Sequence, residues 1–147
     1  SYIHEDTISD LIELGKLAKD PMTIDKIPHL SSLTIDIEKT AAIKEHKILI
    51  YLSKGPVTDS NGKFIMEYGY IKKDIFDGIL SFPELAATQT SFTFTYLHPG
   101  SYYLTVIADV NADGYASKGD VSSISKLIKV TPESAMKERV NDINKQN

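Results

Sequence analysis

The chain has 147 residues, of which 41% are apolar and 24% charged, and it carries a net charge of −4. That suits a single globular domain with a core large enough to fold without staples. The absence of cysteine excludes disulfides, thiolate zinc sites, covalent haem attachment and cysteine nucleophiles; with no basic cluster and no apolar run of spanning length, nucleic acid, an anionic membrane surface and a transmembrane segment are all unexpected.

In chain order, Ser1–Asp20 reads as a short helix. Asp6 or Thr7 caps it, Ile8, Leu11, Ile12 and Gly15 share a face, and Asp20-Pro21 stops it. It either packs on the remaining fold or links to an upstream segment, and packing is the simpler expectation. Ser1 in place of Met predicts a processed or trimmed N-terminus. Pro21–His29 is an extended connector. Ser32–Thr40 alternates, with Leu33, Ile35 and Ile37 on one face and Thr34, Asp36 and Glu38 on the other, the pattern of a half-buried strand. His46–Lys54 is more continuously apolar and predicts a central strand.

Asn61-Gly62 is a hairpin signal, with Lys63–Tyr70 as the return strand. Asp74–Leu80 fits a short strand around Asp77-Gly78 or one helical turn, and Ser81–Thr90 a loop. Ser91–Tyr96 alternates again, placing Phe92, Phe94 and Tyr96 on one face. After a corner at Leu97–Gly100 comes the strand Tyr102–Ala108. Ser123–Thr131 fits either a strand or a helix, and a sandwich needs a closing strand there. Pro132–Asn147 reads as a helix or tail, because Met136, Val140 and Ile143 recur at helical spacing behind a Thr131-Pro132-Glu133 start. The expected organisation is therefore a helix and connector over 1–30, a β-sandwich over 31–131, and a helix or tail over 132–147. About seven short strands with regular turn signals define the class as mostly β.

Between two of these elements lies a loop crowded with oxygen donors. With Asp109 as position 1, Asn111 falls at 3, Asp113 at 5, Gly114 at 6, Tyr115 at 7, Ser117 at 9 and Asp120 at 12. That is the register of a 12-residue calcium loop of the EF-hand type. Calcium is a hard ion taking roughly 6–8 oxygens, and alternate side chains of a tightly wound loop can face one centre. Gly114 permits the reversal, Tyr115 offers its carbonyl, and Ser117 acts directly or through water. Asp120 replaces the longer bidentate Glu, which predicts weaker binding. Asp109, Asp113 and Asp120 also repel one another unless a cation neutralises them. The alternative is a metal-free turn built from ordinary turn residues. Magnesium and sodium are further candidates for an all-oxygen site, whereas zinc and copper are disfavoured.

The segment DVNADGYASKGDVSSISKLI resembles one dockerin repeat. Dockerins carry two such repeats, no second is found, and a strand rather than a helix precedes the loop. LHPGSYYLTVIADVNADGYASKGD, from Leu97 to Asp120, resembles the penultimate-strand signature of bacterial Ig-like and transthyretin-like (prealbumin-like) β-sandwich modules. The resemblance implies an antiparallel sandwich in which a Leu…Pro-Gly-x-Tyr corner feeds a strand that ends in an Asp-x-Asn-x-Asp-Gly loop and a Gly-Asp pair, and an adhesive, linking or accessory role.

No nucleophile elbow, P-loop or dinucleotide fingerprint is present. His4, His29, His46 and His98 are scattered. The functional expectation is a non-enzymatic, extracytoplasmic Ca²⁺-binding module (periplasmic, cell-surface or secreted) with a protein partner. The alternative is an accessory module for carbohydrate, which an exposed row among Tyr68, Tyr70, Tyr96 and Tyr115 favours and their burial disfavours.

Overall fold

The computed structural model describes residues 29–147. The helix expected over Ser1–Asp20 lies outside them. The described chain is mostly β, arranged as two principal sheets that face each other.

The first sheet has the order β11-β1-β7, formed by Ala135–Val140, Ser31–Ile37 and Ser91–Leu97. Strand β1 lies in the middle because its alternation gives it an apolar face, with Leu33 and Ile35 fully buried and Asp36 exposed. It pairs antiparallel with β7 through Leu33↔Phe94 and Ile35↔Phe92.

The second sheet runs β12 (Lys145–Gln146), β9 (Val121–Ser122), β8 (Gly100–Ala108), β2 (Ile48–Ser53), β5 (Ile79–Ser81). Strand β10 (Lys126–Val130) also pairs with β8, and β6 (Glu84–Leu85) with β2. Every residue of β2 is buried, so the continuous apolar run His46–Lys54 forms a central strand, as its composition predicts. Ile48, Ile50 and Leu52 face the first sheet, in one cluster with Leu33, Ile35, Phe94, Leu104 and Val106. Leu49 and Tyr51 face the other way, in a second cluster with Val57, Phe64, Ile71, Ile107 and Ala116. Each fully buried Leu or Ile here contributes roughly 1.5–3 kcal/mol relative to exposure.

The second cluster is roofed by the chain between β2 and β5. A turn at Asp59–Lys63 is closed by the Thr58↔Phe64 bridge, and the hairpin of β3 (Met66–Glu67) and β4 (Tyr70–Ile71) follows. The return strand expected over Lys63–Tyr70 thus turns back on itself near its end, at Tyr68-Gly69. A single helical turn, α1 (Lys73–Phe76), precedes β5, so Asp74–Leu80 contains both of its alternatives in succession.

Three expectations are corrected. Pro132–Asn147 is not helical: Ala135–Val140 is strand β11, followed by the short β12. Met136, Glu138 and Val140 also repeat with period two. The ladder with β1 (Ile35↔Glu138, Ile37↔Val140) outweighs the helix propensity of Ala, Met, Lys, Glu and Arg. That ladder is parallel, so the sandwich is not wholly antiparallel. Finally, Tyr96 does not share the inward face of Phe92 and Phe94. Its φ of 54° turns it outward, beside a register shift between Ser31 and Leu33, and it is 80% exposed.

Candidate metal centre

Strand β8 delivers the site. Its last residue, Ala108, pairs with Ile48 in the middle of the sheet, so the chain enters the following loop from a rigid base. Asp109 is held there by its N–H, which donates to Lys47 O at 2.9 Å. The loop then winds through left-handed conformations at Ala112 (φ 57°) and Gly114 (φ 82°). Glycine carries the second of these without steric cost. The loop closes at Asp120, whose successor Val121 begins β9 and pairs with Ala108. Both ends of the loop therefore meet on adjacent strands.

Winding brings three carboxylates together: oxygens of Asp109, Asp113 and Asp120 lie within 4.8 Å of one another. Asp109 and Asp120 are buried, at 2% and 0% exposure. Asp120 accepts from Val110 N–H (3.0 Å) on Oδ1 and from Ser117 N–H (2.9 Å) on Oδ2. Asp113 accepts from Tyr115 N–H at 3.0 Å and from Ser117 Oγ at 2.9 Å. Asn111 Nδ2 donates to Ser117 Oγ at 3.0 Å. Asp109 Oδ2 accepts from Gly114 N–H at 2.8 Å, while its Oδ1 is buried with no hydrogen-bond partner among the described residues. Of the six sequence-derived candidates, Asp109, Asn111, Asp113, Ser117 and Asp120 thus share one connected cluster. Tyr115 joins it through its backbone, with its ring 52% exposed.

The electrostatics follow from this crowding. Burial pushes the Asp120 carboxyl up to about 6, and the neighbouring charges of Asp109 and Asp113 add to the effect. Asp109 is likewise raised, first by burial and then by Asp113. Asp113 moves the other way. Burial acts to raise it, but hydrogen bonds from Tyr115 N–H and Ser117 Oγ outweigh that and hold it below the ordinary range. Such a donor set, all oxygen and short of positive charge, fits a hard cation such as Ca²⁺.

Three supports of the loop lie outside the sequence motif. Tyr51, 1% exposed on β2, accepts the Ala116 N–H on its hydroxyl at 2.9 Å, and burial raises its pKa to about 12. A buried tyrosine hydroxyl needs a partner, so a Tyr inside an apolar strand was the available signal. The second is the β3–β4 hairpin: Gly69 O accepts from Lys118 N–H at 2.9 Å, and Tyr70 bridges to Ser117. The third is Asn147, whose N–H donates to Asp120 O at 2.9 Å.

No protein-family model and no curated protein matches this chain. Among the described residues, no helix is long and apolar enough to cross a membrane.

Proposed function

We propose that this chain is a non-enzymatic, extracytoplasmic β-sandwich module that binds calcium through Asp109, Asn111, Asp113, Tyr115, Ser117 and Asp120. Its role is to support adhesion, assembly or a neighbouring protein. The calcium reading rests above all on Asp109 Oδ1, a carboxylate oxygen buried without a partner among the described residues and beside two further carboxylates. An unpartnered buried charge is costly, and a divalent cation among the three removes both the orphan and the repulsion. Asp120 in place of a bidentate Glu makes the site a weak one, filled where calcium is millimolar, which is outside the cytoplasm.

An Ig-like or transthyretin-like module is the finer fold reading. Supporting it, Tyr102 near the start of β8 donates its hydroxyl to His98 O at 2.6 Å across the β7–β8 corner, an arrangement shared with the tyrosine corner of Greek-key sandwiches.

Thermal unfolding in chelator and then in millimolar calcium tests the calcium site. A ligand that binds only the folded state adds about 2.7 kcal/mol at a hundred times its dissociation constant. The midpoint of the wild type is expected to rise, and that of Asp109→Ala with Asp113→Ala to stay where it was. An unmoved wild-type midpoint would reduce the loop to a metal-free turn.

A second reading, an accessory module for carbohydrate, is favoured by one observation. Tyr68, Tyr70, Tyr96 and Tyr115 are all exposed, at 93%, 53%, 80% and 52%.

A further inference from the structure

We propose that residues 145–147 form a calcium-responsive strap: with the metal bound they are clasped to the closing end of the loop, and without it they lift away. The inference rests on the calcium reading and adds to it what the metal controls.

The strap joins two distant parts of the chain. Strand β12 pairs antiparallel with β9 through Lys145↔Ser122 and Gln146↔Val121. Asn147 carries the pairing onto the metal loop itself. Its backbone N–H donates to Asp120 O at 2.9 Å, and its carbonyl accepts from Gly119 N–H at 2.7 Å. Its side chain adds further bonds. Nδ2 donates to Ser122 Oγ at 3.1 Å and to Asp120 O at 3.3 Å, and Oδ1 accepts from Phe64 N–H at 2.7 Å. Lys63 Nζ donates to Gln146 O. Gly62, with a φ of 78°, lies so close that a Cβ there would stand 3.0 Å from Lys145 Cγ. Residues 145–147 therefore tie the Asp59–Lys63 turn to the metal loop.

The clasp is a weak one. Beyond Ile143, the last buried side chain, the strap consists of Lys, Gln and Asn and adds no apolar side chain to the core. Its attachment is by hydrogen bonds, which gain little net free energy against water, and segments held in this way open locally ahead of the core. What the strap grips is set by the metal. The carbonyl bonded to Asn147 belongs to Asp120, whose carboxylate is one of three crowded within 4.8 Å. Without a cation the three repel one another and favour an open loop, in which Gly119 N–H and Asp120 O no longer stand opposite Asn147. With a cation the same peptide is fixed.

Linkage makes the coupling mutual: whatever calcium contributes to the docked strap, the docked strap contributes to calcium binding. The strap also has something to cover. Strand β9 has β8 along one edge and β12 along the other. Release of residues 145–147 bares a strand edge at Val121–Ser122, the kind of edge on which another chain can pair. Calcium keeps that edge closed.

The test is amide hydrogen exchange of the 147-residue chain, followed by NMR in calcium and in chelator, alongside the calcium-induced shift in melting midpoint. The Asn147 N–H reports the strap. The Glu38 N–H, bonded to Val140 O at 2.9 Å, reports the core. In chelator the Asn147 amide is expected to exchange about tenfold or more faster than the Glu38 amide, and calcium to slow it by about tenfold or more. Asn147→Ala, which keeps every candidate ligand, is expected to weaken calcium binding about fivefold or more in titration calorimetry. A normal calcium shift with an Asn147 amide equally protected in chelator overturns the strap and leaves the calcium site standing. An Asn147 amide that exchanges freely in both conditions overturns it too, as does wild-type calcium affinity in a folded Asn147→Ala. If that variant unfolds, exchange in the wild type decides alone. Absence of a calcium shift in the wild type sinks the metal reading and the strap with it.

Discussion

Tyr51 stands where the core meets the loop: its ring belongs to the packing beneath β2 and β8, and its hydroxyl accepts the Ala116 N–H two residues after Gly114. Tyr51→Phe keeps the ring and orphans that buried N–H, a loss of about 1–3 kcal/mol. Because Ala116 precedes Ser117, the substitution also loosens a candidate ligand. Urea unfolding in chelator is expected to show the stability loss, and a calcium titration of the same variant a smaller stabilisation than in the wild type. An unchanged calcium response would mean that the loop holds its shape without the hydroxyl.

At the scale of elements, the C-terminal strand is the most consequential departure from the sequence pattern. Strand β11 completes the first sheet beside β1, and Arg139 pairs with Glu38 across that boundary while Lys126 reaches Glu138 at 2.8 Å. Just beyond it, Ile143 is fully buried in the cluster between the sheets. Ile143→Ala is accordingly expected to cost about 2–5 kcal/mol, measured as a fall in the urea midpoint at constant slope. A frayed tail would give no change. The same segment carries Asn147, which bonds to Asp120 O and receives Phe64 N–H on its side chain, so the end of the described chain also braces the metal loop.

For the molecule as a whole, the buried carboxylates set a pH dependence. Asp120 has a folded pKa of about 6, against about 3.9 in an unfolded chain. A raised folded pKa means that the folded state holds the proton more tightly. The associated stability is fully present below about pH 4 and is lost as pH rises through about 6. Asp109 acts in the same sense and Asp113 in the opposite one. Metal-free protein is therefore expected to gain on the order of 2 kcal/mol between pH 7 and pH 4.5, and the extra stability conferred by calcium to shrink over the same range as protons compete for the ligands. Urea midpoints at the two pH values, with and without calcium, decide this; a metal-free midpoint that falls on acidification would contradict it.

Local pattern alone determined the mostly-β class, the central place of His46–Lys54 and the alternation of Ser32–Thr40, because strand periodicity and burial on one or both faces are written in neighbouring residues. The spacing from Asp109 to Asp120 was legible for the same reason, since a tightly wound loop gathers side chains that lie close in sequence. The C-terminal segment was not. Its composition favours a helix, and only the open edge of β1, about a hundred residues away along the chain, supplies the partner that makes it a strand. Likewise, the outward turn of Tyr96, the anchoring of Ala116 by Tyr51 and the bridge from Tyr70 to Ser117 depend on contacts between distant segments. Tertiary structure decided these, because which residues share a surface follows from strand order and register rather than from any local period.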